Sequence, residues 1–163
     1  MSGFFEPNAA APLCIELTAS ELRQACVVAC DRQIENLYKR RADAHGCPPD
    51  IGWQAHIEGA AGEMAFAKWR NRYWSGSLGD LQADDVGNVQ VRTRSKHSYD
   101  LILHDDDPDD RPFVLLTGLA PRFRVRGWIW GRDGKQQQFW SDPAGGRAAY
   151  FVPVAALRCA VAA

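Results

Sequence analysis

At 163 residues the chain has room for one domain and little for a second. Its 46% apolar and 24% charged residues are those of an ordinary globular protein and exclude a chain that is disordered or of low complexity throughout. No apolar run approaches the ~20 residues of a membrane-spanning helix, and no basic segment leads into an apolar stretch at the start. The expectation is therefore a cytoplasmic protein without a membrane partner or secretory signal, and the formal net charge of −1 singles out no partner.

Residues 1–17, with Pro7 and Pro12 around a run of small residues, read as an irregular arm. Thr18 followed by Glu21 forms a capping-box signature. Leu22, Ala25, Cys26, Ala29, Cys30, Ile34, Leu37 and Tyr38 then recur at helical spacing, which predicts a helix running to about Ala44 and ending near Gly46. After Pro48–Pro49 a second helix is expected over about Trp53 to Tyr73, with Ile57, Ala60, Ala61, Met64, Ala65 and Trp69 on one apolar face. Gly59 and Gly62 weaken that helix by up to ~1 kcal/mol each relative to Ala, and their use is the close approach of another backbone.

From about Trp74 the pattern turns to β. Val86-Gly87-Asn88-Val89 reads as a tight turn, and Val89, Val91 and Thr93 alternate with Gln90, Arg92 and Arg94 as in a strand. Tyr99–Leu103 and Phe113–Thr117 read as an antiparallel hairpin, Phe123–Trp130 as a further strand, and Tyr150–Val152 as a short one before a possible helical turn at Ala155–Arg158. Helices followed by strands predict one α+β domain over residues 18–158, with a mixed or antiparallel sheet and a tail from 159 to 163.

Five of the 20 acidic residues lie together as Asp105, Asp106, Asp107, Asp109 and Asp110, leaving a mildly basic remainder. The run reads as a solvated turn around Pro108; a calcium loop of the EF-hand kind would need a central Gly and a terminal Glu that it lacks. The odd count of five cysteines suits reduced thiols. Cys26, Cys30, His45 and Cys47 only loosely satisfy zinc-ligand spacing.

Glu63, Asp85, Gln90 and Arg92 carry the most chemistry. Glu63 rides the second helix, Asp85 enters the tight turn, and Gln90 and Arg92 leave it two apart on one strand face. Two carboxylates and an amide oxygen around one point suit Mg²⁺ or Mn²⁺, and such a cation stabilises charge on a phosphoryl transition state. Arg122, Arg124 and Arg126 alternate along one strand, and Arg94 and Lys96 continue from Arg92 on another. These rows read either as a track for a phosphate backbone or as solvated sheet edges. Trp128 and Trp130 are read as core residues or as base-stacking platforms. His56, two helical turns before Glu63, is read as a surface histidine or as an aid to catalysis.

The run Gly59-Ala60-Ala61-Gly62-Glu63, followed by Asp85-Val86-Gly87-Asn88-Val89-Gln90-Val91-Arg92, resembles the PD-(D/E)xK nuclease superfamily, most closely its small phage- or prophage-encoded members. Gly127-Trp128-Ile129 and the closing Tyr150-Phe151-Val152-Pro153 with Leu157 extend the resemblance over most of residues 18–158. It implies a restriction-endonuclease-like core, a central mixed sheet flanked by helices. It also implies Glu63 and Asp85 as metal-binding carboxylates, Gln90 in place of the second acidic ligand, and Arg92 in place of the lysine that orients the attacking water. Gln90 removes a negative charge, and Arg92 keeps a cation that cannot share a proton as a lysine does. The implied activity is metal-dependent hydrolysis of nucleic-acid phosphodiesters, on DNA rather than RNA, inside a bacterial host, by a homodimer or together with a phage or host protein partner. Two alternatives stand beside it: a non-catalytic accessory protein of the same fold that binds nucleic acid or a host protein, and a structural component of a phage particle.

Overall fold

The computed structural model describes residues 14–39, 52–76, 84–143 and 145–159. Two helices, α1 (Ala19–Tyr38) and α2 (Gly52–Trp69), precede a series of strands. These are β1 (Cys14–Glu16), β2 (Gln90–Arg94), β3 (Leu101–Leu103), β4 (Pro112–Leu119), β5 (Arg122–Trp130), β6 (Trp140–Ser141) and β7 (Ala149–Val152). Among the described residues no helix is long and apolar enough to cross a membrane.

The chain is an α+β protein with two sheets. The larger has the order β1-β5-β4-β2, in which β2 runs parallel to β4 and the other neighbours are antiparallel. Pleating sends Val91, Val114, Leu116, Phe123 and Val125 to one face, where they pack against Ala25 and Ala29 of α1 and Ala60, Ala61 and Ala65 of α2. Phe113, Leu115 and Ile129 point the other way, onto Leu101, Leu103 and Val152 of the smaller sheet, ordered β3-β7-β6. α1 and α2 therefore lie on one face of the mixed sheet, and a second sheet covers part of the other. β4 is buried on both faces from Pro112 to Thr117, which explains its unbroken apolar run.

The Thr18–Glu21 capping box forms as expected: Thr18 N donates to Glu21 Oε2 at 2.7 Å and Glu21 N to Thr18 Oγ1 at 3.3 Å. Lys68 Nζ then joins Glu21 Oε2 (2.8 Å) and the Glu16 carbonyl (2.9 Å), tying the end of α2 to the start of α1 and to β1. α2 is buried without interruption from Ala60 to Ala67, as befits a helix enclosed between another helix and a sheet.

Three expectations are corrected. Residues 14–16 of the expected arm form β1, because Cys14, Ile15 and Glu16 pair with Arg124, Phe123 and Arg122 on the edge of β5. The strands around the acidic run are not a hairpin: Leu101 pairs with Val152 in β7, whereas β4 lies between β2 and β5. β2 and β4 are parallel, so the chain needs a crossover between them, and β3 with the acidic loop supplies it. The second helix stops at Trp69, short of the expected Tyr73. The expected end of the first helix and the segment with His45 and Cys47 lie outside the described residues.

Candidate functional site

A close helix–strand contact positions the site. A Cβ added at Gly62 would come 1.8 Å from Thr93 Oγ1, so only glycine lets α2 rest on β2 at this point. The expectation of close approach thus holds at Gly62; at Gly59 a Cβ would meet nothing within 4 Å. Seating α2 at Gly62 brings the next residue, Glu63, into the interior at the sheet margin, where it is 6% exposed.

Asp85 arrives from the other direction. Val86 and Val89 exchange backbone hydrogen bonds of 3.2 and 3.1 Å around a turn in which Gly87 takes φ 65°. The turn folds Asp85 back along β2, whose Val91 N–H donates to Asp85 Oδ2 at 2.6 Å. β2 is an edge strand of its sheet, and this bond satisfies a group that faces away from β4.

Glu63 and Asp85 lie within each other's electrostatic field, and Arg32 lies within the field of both. Arg32 of α1 clamps Glu63 in a fork, Nη1 to Oε1 at 2.6 Å and Nη2 to Oε2 at 2.9 Å. Trp74 Nε1 adds a bond to Glu63 Oε2 at 3.0 Å. Burial works against the Arg32 charge, yet the Glu63 bonds and the charges of Glu63 and Asp85 leave its pKa raised. The pKa of Asp85 is pushed up to about 7, first by burial and then by the nearby charge of Glu63; the Val91 N–H, Arg92 and Arg32 pull it the other way. Like charges held together in a partly dry place raise a carboxyl pKa in this way.

Gln90 and Arg92 approach from the opposite face. Their register opposite Phe113 and Leu115 points them away from the helices. Gln90 is 6% exposed and donates from Nε2 to Asp84 Oδ1 at 3.3 Å. Asp84 also receives Arg111 Nε at 3.0 Å. Arg92 stays within the field of Asp85, but its Nη2 donates to Asp107 Oδ1 at 2.7 Å and its guanidinium lies 5.1 Å from the centre of the Phe113 ring. Arg92 Nε is buried and makes no hydrogen bond with any described residue.

The acidic loop is an exposed turn, as expected, and it is pinned at several points. Lys135 Nζ reaches the Asp105 and Asp107 carbonyls at 3.1 and 2.8 Å and the Asp109 carboxylate at 2.6 Å, while Asp107 Oδ2 accepts from His104 N at 2.8 Å. Asp107, Asp109 and Asp110 thus answer the cations Arg92, Lys135 and Arg111. His56 meets Asn36 of α1 across 3.2 Å. Among the described residues no three His, Cys, Asp or Glu side chains form a metal-binding group, and Cys26 and Cys30 are free thiols.

The register also relates the two basic rows. Arg94 is opposite Thr117, Thr117 opposite Arg124, and Arg124 opposite Cys14, so Arg94 and Arg124 lie on one sheet face, the face of Arg92. Arg122 shares it and is paired with Glu16 at 3.1 Å. Arg126 departs from the expected alternation: a bulge between Leu115 and Leu116 leaves it as the extra residue on β5, and Gly127 takes φ 148° beside it. Arg94 and Lys96 both lie over the Tyr99 ring, at 4.7 and 5.3 Å from its centre. Trp128 packs against the helix-side core and meets Trp130 edge-on at 5.9 Å.

Sequence reasoning missed Arg32, Trp74 and Asp107. Arg32 had a signal: it follows Ala25 by seven and Ala29 by three residues, so it falls on the buried stripe of α1. Trp74 and Asp107 act across gaps in sequence that no local periodicity reports. No protein-family model matches this chain, and no curated protein or solved structure matches it.

Proposed function

We propose that the chain is a nuclease-like protein with a restriction-endonuclease-like core that hydrolyses nucleic-acid phosphodiesters with Mg²⁺ or Mn²⁺. The observation that carries this reading is that Glu63 and Asp85, on separate elements, lie within each other's electrostatic field, with the Asp85 pKa pushed up to about 7 by burial and by the Glu63 charge. A buried carboxyl whose pKa is raised by a neighbouring carboxylate is a mark of a working site. Its donor set suits a hard cation, because two carboxylates share a place whose negative charge a divalent ion would neutralise. Glu63 and Asp85 are the residues to hold the ion; Gln90, expected as a third oxygen source, faces away from the helices and donates to Asp84, and is left out of the set. The ion would supply Lewis-acid stabilisation of charge on the phosphoryl oxygens and a more acidic water. Arg92, with an unused buried Nε, is the residue to hold the scissile phosphate. The face of Arg94, Arg124, Arg122 and Lys96, with Arg126 beside it, is the track for the nucleic-acid backbone, DNA in the first instance.

A second reading is favoured by one observation, that both cationic partners of the site are already engaged, Arg32 by Glu63 and Arg92 by Asp107. In that reading the ion pairs are structural and the protein binds nucleic acid, or a host or phage protein, without cleaving it. Incubation of the purified chain with linear and circular DNA in Mn²⁺ separates the two. Cleavage by wild type that is lost in Asp85→Ala and Glu63→Gln supports the first. Salt-sensitive DNA binding with no cleavage by any of the three, all folded, supports the second.

A further inference from the structure

We infer that Arg32 is a resident stand-in cation, which holds Glu63 and Asp85 together in the metal-free protein and must withdraw from Glu63 when a divalent ion binds there. This rests on the metal site of the proposed function and adds to it a residue outside the motif that carries the resemblance.

Four observations support the exchange. The fork engages both Glu63 oxygens, at 2.6 and 2.9 Å, so Arg32 competes with an incoming ion for the carboxylate and opposes it by like charge. Arg32 is stabilised by the charge of Asp85 as well as that of Glu63, which places its guanidinium in the field of both carboxylates. Its side chain is 17% exposed against 8% for Glu63, so the long arginine retains a route towards solvent while the carboxylate stays in place. Trp74 Nε1 also holds Glu63 Oε2, giving the carboxylate an orienting partner that does not depend on Arg32.

Competition of this kind has a defined consequence. Binding to a state populated only a fraction of the time weakens the apparent affinity by that fraction, so a Glu63 released from Arg32 a tenth of the time or less costs about tenfold or more in Mn²⁺ affinity. Removing the guanidinium should return that factor. It should also leave Glu63 buried without its counter-charge, lowering the stability of the metal-free protein and making stability depend on the ion.

The test is Mn²⁺ binding, followed by loss of the free-ion electron paramagnetic resonance signal, together with thermal unfolding with and without Mn²⁺. The proteins are wild type, Arg32→Gln, Arg32→Lys and Arg32→Gln with Asp85→Ala. The expected result is about tenfold or tighter binding by Arg32→Gln than by wild type. The double variant should lose that gain, and Arg32→Gln should have a lower metal-free Tm that Mn²⁺ restores. Binding by Arg32→Gln but not by wild type also upholds the inference, while counting against metal-dependent cleavage by the unaltered chain. Folded Arg32→Gln that binds no more tightly than a binding wild type overturns the inference and leaves the proposed function standing. Binding by neither overturns both. Where Arg32→Gln does not fold, Arg32→Lys decides: it keeps the charge but loses the fork, and tighter binding than wild type upholds the exchange, whereas equal or weaker binding overturns it.

Discussion

Gly62→Ala probes the contact on which the site is built. The added methyl would fall 1.8 Å from Thr93 Oγ1 and 2.9 Å from Thr93 Cβ, inside the distance at which atoms can coexist. Thr93 is β-branched, with a stiff χ1 that cannot rotate aside freely, so the relief must come from separating α2 and β2. Overpacking of this kind costs about 1–3 kcal/mol, and the branched neighbour places the estimate in the upper half. Alanine also gains up to ~1 kcal/mol of helix propensity over glycine, which hides part of the cost. Gly59→Ala is the internal control, because it makes the same exchange on the same helix where a Cβ meets nothing within 4 Å. Gly62→Ala should therefore unfold about 4–12 °C below Gly59→Ala, from a difference of about 2–3 kcal/mol at ~2–4 °C per kcal/mol for a chain of this size. Thr93 Oγ1 has no hydrogen-bond partner among the described residues, so Thr93→Ala sacrifices no bond. In the Gly62→Ala background it should recover about 1 kcal/mol or more as a coupling energy. Thermal and urea unfolding of the four proteins measure this. Equal stability of the two glycine variants, or zero coupling to Thr93, would refute the seating of α2 that delivers Glu63.

The pKa of Asp85 is raised from 3.8 to about 7 on folding, so between those values the native state keeps a proton that the unfolded chain releases. Stability contributed by this group is present at low pH, falls as pH rises to about 7 and is level above it, so Asp85→Asn should flatten that limb and be the more stable protein near pH 8 in urea titrations across pH. Asp107→Ala removes the partner of Arg92 and the acceptor for His104 N. It should cost about 1.5–3 kcal/mol in urea unfolding, the range for hydrogen bonds to charged groups. In DNA binding measured against salt, Arg94→Ala and Arg124→Ala should each lower the logarithmic slope by about one. Arg122→Ala should lower it less, because that residue is already paired with Glu16.

The legible parts of this protein were those encoded locally. The capping box at Thr18 and Glu21, the turn from Val86 to Val89 and the alternation of β5 up to Val125 each need only neighbouring residues, and each is present in the structure. What failed was pairing at a distance. Leu101–Leu103 is as apolar as a hairpin strand, but its partner lies some fifty residues on in β7, and nothing in its own pattern distinguishes β7 from β4. The bulge at Arg126 was invisible for a related reason: it appears only when β5 is aligned against β4, although Gly127 beside it hinted at a special backbone. At the site, the pairing of Glu63 with Asp85 is expected from the helix and the tight turn as well as from the resemblance, while Arg32 escapes because a lone arginine on a helix is ordinarily a surface residue. Only its place on the stripe of Ala25 and Ala29 set it apart.

The central claim is that Glu63 and Asp85 form a divalent-metal site. Calorimetric titration of Mn²⁺ into the purified chain, beside Asp85→Ala, tests it most directly. The account predicts saturable binding to wild type that disappears in the variant. Folded wild-type protein that takes up no Mn²⁺ at millimolar concentration, or an Asp85→Ala protein that binds it equally well, would contradict it.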